Sequence, residues 1–120
     1  MSLTSYQRGR LGEEIAAEYL QERGYKIVQR NLRILRAEID IVAKQNDTVI
    51  FVEVKTRSNE EYGSGVEYIS QRKQNQCIKA AMAYMKKGEG IRFDVISILL
   101  DPKTKSVVKI QHIRNAFSCK

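Results

Sequence analysis

Few of the residues that mark secreted or membrane-inserted proteins occur in this chain. Two cysteines, Cys77 and Cys119, stand in 120 residues, too few for a disulfide framework or a cysteine metal site, so both are expected to be free thiols in a reducing compartment. The longest apolar run, Val95-Ile96-Ser97-Ile98-Leu99-Leu100, falls far short of the roughly 20 apolar residues that cross a bilayer as helix. No apolar signal region opens the chain, because Met1 to Arg8 lead straight into a polar helical pattern; the protein is expected to be cytoplasmic, with no membrane association. Proline occurs once, at Pro102, and no repeat, low-complexity stretch or linker is visible. A chain of this length has room for one domain, residues 1–120, around one core. Histidine also occurs once: His112 alternates with Ile113 and is expected to face outward with no functional role. Acidic residues are in deficit, 14 Asp and Glu against 21 Lys and Arg, for a net charge of +7 spread along the chain. That balance suits a polyanion, most often nucleic acid, and counts against an interaction domain with no nucleic-acid role.

What is present is organised around a hairpin over residues 37 to 57. Ala37 to Lys44 and Val49 to Arg57 alternate with period two and are rich in Ile, Val and Phe, the pattern of paired strands. On the second arm Val49, Phe51, Glu53, Lys55 and Arg57 share one face, and Ile50, Val52, Val54 and Thr56 the other. Asn46-Asp47 can form a two-residue loop, because both residue types tolerate positive φ. That register sets Asp40 opposite Glu53 and Glu38 opposite Lys55, whereas a three-residue loop would move Asp40 to the wrong face. Opposed side chains have Cβ atoms about 4.5 to 5.5 Å apart, where like charges repel. One resolution is a hard divalent cation, which takes oxygen ligands from one or two carboxylates, water and a substrate phosphate; Lys55 would then orient the attacking water or hold the phosphate. The plainer alternative is a ladder of cross-strand salt bridges, which explains Glu38 with Lys55 well and Asp40 opposite Glu53 badly.

The rest of the chain frames this hairpin. From about Ser5 to Arg23, Leu11, Ile15, Ala16, Tyr19 and Leu20 make one apolar helical face. Gly12 lies at its centre and Gly9 near its edge, which points to close approach of helix and sheet, since each glycine costs roughly 1 kcal/mol against Ala. Glu13 falls at the rim and can reach into a site on the sheet, while Glu14 and Glu18 lean outward. Gly24 ends the helix, and Tyr25 to Ile34 read as a first strand. Arg30, Arg33 and Arg36 are candidate phosphate contacts, although basic residues on an edge strand equally guard against aggregation; Arg57 and Lys73 join them as candidate nucleic-acid contacts. Ser58 to Gly65 read as a mobile loop beside the site. A second helix is expected from about Ser70 to Lys87, with Ile78, Ala81, Met82 and Met85 on its buried face. Gln71, Arg72 and Lys73 open it, and positive charge there opposes the helix dipole. The methionines are core filler rather than a cofactor box, and no organic cofactor is expected. Ile91 to Leu100 read as a central strand, Asp101 to Thr104 as a turn, and Ser106 to Ile113 as a last strand.

The acid at Glu13 in the first helix, Glu38-Ile39-Asp40-Ile41-Val42-Ala43, Phe51-Val52-Glu53-Val54-Lys55-Thr56-Arg57, Lys73 with Ala80 or Ala81, and Arg92-Phe93-Asp94 stand in an order that resembles the restriction-endonuclease-like superfamily, the PD-(D/E)XK nucleases. The pattern more closely resembles the YraN-like family, related to archaeal Holliday junction resolvases, over about Gly9 to Asp94. The resemblance implies an α/β fold: a restriction-endonuclease-like αβββαβ core, its mixed sheet flanked by helices, plus a C-terminal strand. It also implies a catalytic set of Glu13, Asp40, Glu53 and Lys55. Asp40, Glu53 and the carbonyl of Val54 would hold Mg²⁺ or Mn²⁺, Lys55 would position the nucleophilic water, and Glu13 would complete the acidic cluster. The implied activity is hydrolysis of phosphodiester bonds in DNA, in repair or recombination. Resolvase relatives act as homodimers on branched DNA, so a homodimer is among the implied outcomes. Ala37 departs from the family pattern, which has Gly before Glu-Ile-Asp. From another class, a basic nucleic-acid-binding module with structural carboxylates fits the same composition.

Overall fold

A computed structural model describes residues 3–58 and 69–118. The elements run α1 (Ser5–Glu22), β1 (Lys26–Ile34), β2 (Ala37–Gln45), β3 (Thr48–Arg57), α2 (Gln71–Tyr84), β4 (Gly90–Leu100) and β5 (Val107–Phe117). The strands form one five-stranded sheet in sequence order. Neighbours pair antiparallel except β3 with β4, which run parallel, so α2 lies in the crossover that parallel neighbours require.

Local chemistry explains the element ends. Thr4 accepts from the Gln7 amide while its own N–H donates to Gln7 Oε1, a reciprocal pair that satisfies two orphan donors at the start of α1. Gly24 adopts φ +86°, and the amides of Gly24 and Tyr25 return to the carbonyls of Gln21 and Leu20, the glycine-dependent stop foreseen there. Asn46 takes φ 55° and Gln45 pairs with Thr48, so the hairpin loop has two residues and the expected register holds.

Each face of the sheet carries one helix. Ala16, Ala17 and Leu20 of α1 pack on Ile41, Ile50, Val52, Ile96 and Ile98. Cys77, Ala80 and Ala81 of α2 pack on Val42, Val49, Phe51 and Phe93. Alternate residues of β3 thus enter opposite clusters, which puts Glu53, in step with Phe51, on the α2 side. Gly12 allows the close approach of α1: a Cβ there would lie 1.8 Å from Thr56 Oγ1. Gly9 has no such duty, since a Cβ there meets nothing within 4 Å, contrary to expectation.

Four further expectations are corrected. The second helix stops at Tyr84 rather than continuing to Lys87, and Met82 is 66% exposed. The buried stripe is rotated onto Cys77, Ala80 and Ala81 because small residues let α2 settle on the large rings of Phe51 and Phe93. The last strand continues to Phe117, whose ring stacks on Phe93 at 4.7 Å. His112 does not face outward, its side chain being only 4% exposed. Beyond Ser58, the segment read as a mobile loop lies outside the described residues, as does Cys119. Among the described residues no helix is long and apolar enough to cross a membrane.

Candidate functional site

The site begins where β2 and β3 stop pairing. Their last matched pair is Ile41 with Val52, so the expected pairing of Asp40 with Glu53 is not completed by the backbone. Instead Asp40 Oδ2 accepts from the Val54 amide at 2.8 Å, a side chain taking the place of a strand carbonyl. Glu38 does not pair with Lys55. It lies opposite Arg33 in the β1–β2 ladder, and their side chains approach to 3.6 Å.

Three acids act on one another here. Burial pushes the Asp40 carboxyl up to about 7, with the charges of Glu53 and then Glu13 adding to the effect and the Val54 N–H opposing it. Glu13, on α1, lies close enough for its charge to act on Asp40. Its Oε1 is buried with no hydrogen-bond partner, and the nearest guanidinium, that of Arg30, stands at 3.8 Å. An orphaned carboxylate oxygen in such a place carries a desolvation cost that a cation or ordered water would relieve.

Glu53 is held differently. Lys73 Nζ of α2 donates to its Oε1 at 2.5 Å, and Lys55 Nζ lies 3.6 Å from the same oxygen. Burial works to lower the Lys73 pKa, but the hydrogen bond and charge of Glu53 outweigh it and the net shift is upward. The buried Cys77 thiol is pushed up to about 11 by burial and by Glu53, which makes it inert as a nucleophile at neutral pH. Among the described residues no group of three or more His, Cys, Asp or Glu is gathered tightly enough to hold an ion. Glu53 is instead drawn to ammonium groups.

The basic candidates divide. Arg30 is tied to Glu14 at 2.8 Å and Arg33 is drawn to Glu38, so both serve partly as counter-ions. Arg57 is half-buried at the end of β3. Arg36 and Lys73 line a cavity of about 380 Å³ together with Ser70, Arg72 and Gln76, and Lys73 joins it to the site through Glu53.

The sequence that carries this geometry has counterparts in known proteins. Residues 12–98 match the model of the uncharacterised protein family UPF0102. The chain belongs to that family. A UPF0102 protein of Christiangramia forsetii is 42% identical over 112 residues, covering 91% of this chain and 92% of its own. One from Dictyoglomus turgidum is 43% identical over 113 residues, covering 91% and 95%, and one from Chlorobium phaeobacteroides is 42% identical over 124 residues, covering 98% of both chains. UPF0102 is the YraN family, restriction-endonuclease-like as the resemblance implied, and the matched span contains Glu13, Asp40, Glu53, Lys55 and Lys73.

A second polar cluster escaped sequence reading. Asp94, only 1% exposed, accepts from Arg92 Nε and Nη2, each at 2.9 Å, and from the Asn115 amide at 2.9 Å, while His112 Nε2 sits 2.7 Å away. Arg92 also donates to the Tyr25 hydroxyl. Burial alone would raise the Asp94 pKa, but these partners, His112 first and Arg92 next, bring it below the usual carboxylate value. The cluster pins β5 to β4. The available signal was Arg92 and Asp94 alternating inside an otherwise apolar strand.

Proposed function

We propose that this chain is a metal-dependent nuclease that hydrolyses phosphodiester bonds in DNA. The observation that carries this reading is the Asp40 carboxyl, pushed up to about 7 by burial beside Glu53 and Glu13, together with the unpartnered Glu13 Oε1. Asp40 and Glu53 supply carboxylate oxygens of the kind that a hard divalent cation such as Mg²⁺ or Mn²⁺ takes, and its charge would relieve the raised Asp40 carboxyl. Asp40, Glu53 and the Val54 carbonyl would hold it, with Glu13 completing the acidic cluster. When bound, such an ion lowers the pKa of its water and offsets charge on the phosphate. Lys55, beside Glu53, would orient the attacking water, while Arg36, Arg57 and Lys73 would hold the strand through its phosphates.

A different reading has its own support. Glu53 already has two ammonium partners, and no three-acid cluster is assembled among the described residues. A basic nucleic-acid-binding module with a structural carboxylate site would look like this. Incubation with labelled four-way, flap and linear DNA, with Mg²⁺ or Mn²⁺ and with chelator, separates the two. The nuclease cleaves in a metal-dependent way that Asp40→Asn abolishes; the module binds in a salt-sensitive way and never cleaves.

A further inference from the structure

The cavity beside the acids is walled by cations without obvious employment. Arg36, from the turn between β1 and β2, and Arg72, from α2, both line it and are exposed; among the described residues neither is ion-paired. Among the described residues, the one carboxylate on its wall, Glu38, is drawn to Arg33. Two exposed arginines lining one cavity, neither ion-paired among the described residues, suit a phosphodiester, whose oxygens accept from planar guanidinium forks.

Lys73 belongs to both places. Its side chain lines the cavity while its ammonium sits on Glu53, a carboxylate that Lys55 also approaches. One ammonium suffices to balance one carboxylate, so the second is surplus once a divalent ion arrives. The flexible four-carbon stem of lysine allows the ammonium to change partners without moving the helix.

We propose that Lys73 is a hand-over residue: it neutralises Glu53 in the resting site, then passes to a phosphate of a nucleic-acid strand seated between Arg36 and Arg72, releasing Glu53 to a divalent cation. This rests on the nuclease reading and adds to it that metal and strand bind cooperatively through Lys73. The strand draws the ammonium off Glu53 and the metal frees it for the strand, so each tightens the other by the same factor.

Mn²⁺ binding, followed by paramagnetic resonance and counted as the part that Asp40→Asn removes, tests this without cleavage. Lys73→Met keeps the stem and removes the charge. The variant is expected to bind Mn²⁺ at least about 5-fold more tightly than wild type in the absence of DNA. A short single-stranded thymidine oligonucleotide is expected to tighten Mn²⁺ binding by a similar factor in wild type, and by less than about 2-fold in Lys73→Met or in Arg36→Gln/Arg72→Gln. Unchanged or weaker Mn²⁺ binding by Lys73→Met, or equal coupling in all three proteins, overturns the hand-over while leaving the metal site intact. Absence of any Asp40-dependent Mn²⁺ signal removes both the hand-over and the nuclease reading beneath it.

Discussion

At Asp40 the fold spends stability on a charge. With its pKa raised from 3.8 to about 7, this carboxyl favours the folded state when protonated. Its contribution is therefore complete below its ordinary value and lost as pH rises towards 7. In chelator at pH above 7, Asp40→Asn should be more stable than wild type by on the order of 1 kcal/mol, and Mn²⁺ should no longer raise its melting temperature; chemical denaturation with and without Mn²⁺ checks both. A less stable variant would show instead that the Asp40 charge stabilises the fold where it stands. Asp94 behaves in the opposite sense. Its pKa is lowered in the folded state, so its contribution is present above the ordinary carboxylate range and disappears as pH falls below it. Removing it with Asp94→Ala leaves Arg92 and His112 without their anion, at a cost of about 3–5 kcal/mol. The acid limb of the stability profile, measured by denaturant unfolding across pH, should flatten in that variant.

Between elements, the decisive fit is α1 against β3. Replacing a helical glycine with alanine ordinarily gains roughly 1 kcal/mol, but at Gly12 the new Cβ would strike Thr56 Oγ1 at 1.8 Å. Overpacking of this kind costs about 1–3 kcal/mol, so Gly12→Ala should be destabilising overall, and Gly12→Ala/Thr56→Ala should recover most of the loss in thermal unfolding. This close approach was legible in the sequence, because Gly12 sits at the centre of an apolar helical face and its identity is costly without a reason. So was the hairpin register, which follows from Asn46 accepting positive φ. The α2 face was less legible: methionine and isoleucine outweigh alanine in any hydrophobic pattern, and only the rings of Phe51 and Phe93 across the interface reveal that small residues belong inside. His112 was misjudged for a related reason. Alternation with Ile113 places it on the other face from that residue, but His112 pairs with Ile96 and shares the face of Ile96 and Ile110, which pack in the α1 cluster, so Tyr19 covers the imidazole beside a buried carboxylate.

Across the whole molecule, Lys73 of α2 links Glu53 of β3 to the cationic cavity, while Glu53 and Glu13 of α1 act on Asp40 of β2 through their charges. Alternation and the two-residue turn bring Asp40 near Glu53, but the ladder ends at Ile41 with Val52, so the sequence pattern could not show that Asp40 turns to the Val54 amide or that Glu38 goes to Arg33. Arg72, by contrast, was only one of three basic or polar residues opening a helix, and nothing in the chain order tells that it shares a cavity with Arg36. The excess of +7 should show in binding: with chelator present, affinity for duplex DNA should fall steeply with salt. Arg36→Gln/Arg72→Gln should reduce the slope of log K against log salt by about 2, since each phosphate that an arginine no longer neutralises is worth roughly 0.9. Fluorescence anisotropy across a salt series measures this. The most direct test of the central claim is a side-by-side cleavage assay of wild type and folded, DNA-binding Asp40→Asn on branched and linear DNA with Mn²⁺. Metal-dependent cleavage by wild type and none by the variant is the predicted result. Equal cleavage by both proteins, or none by wild type on any substrate while DNA is bound, would contradict it.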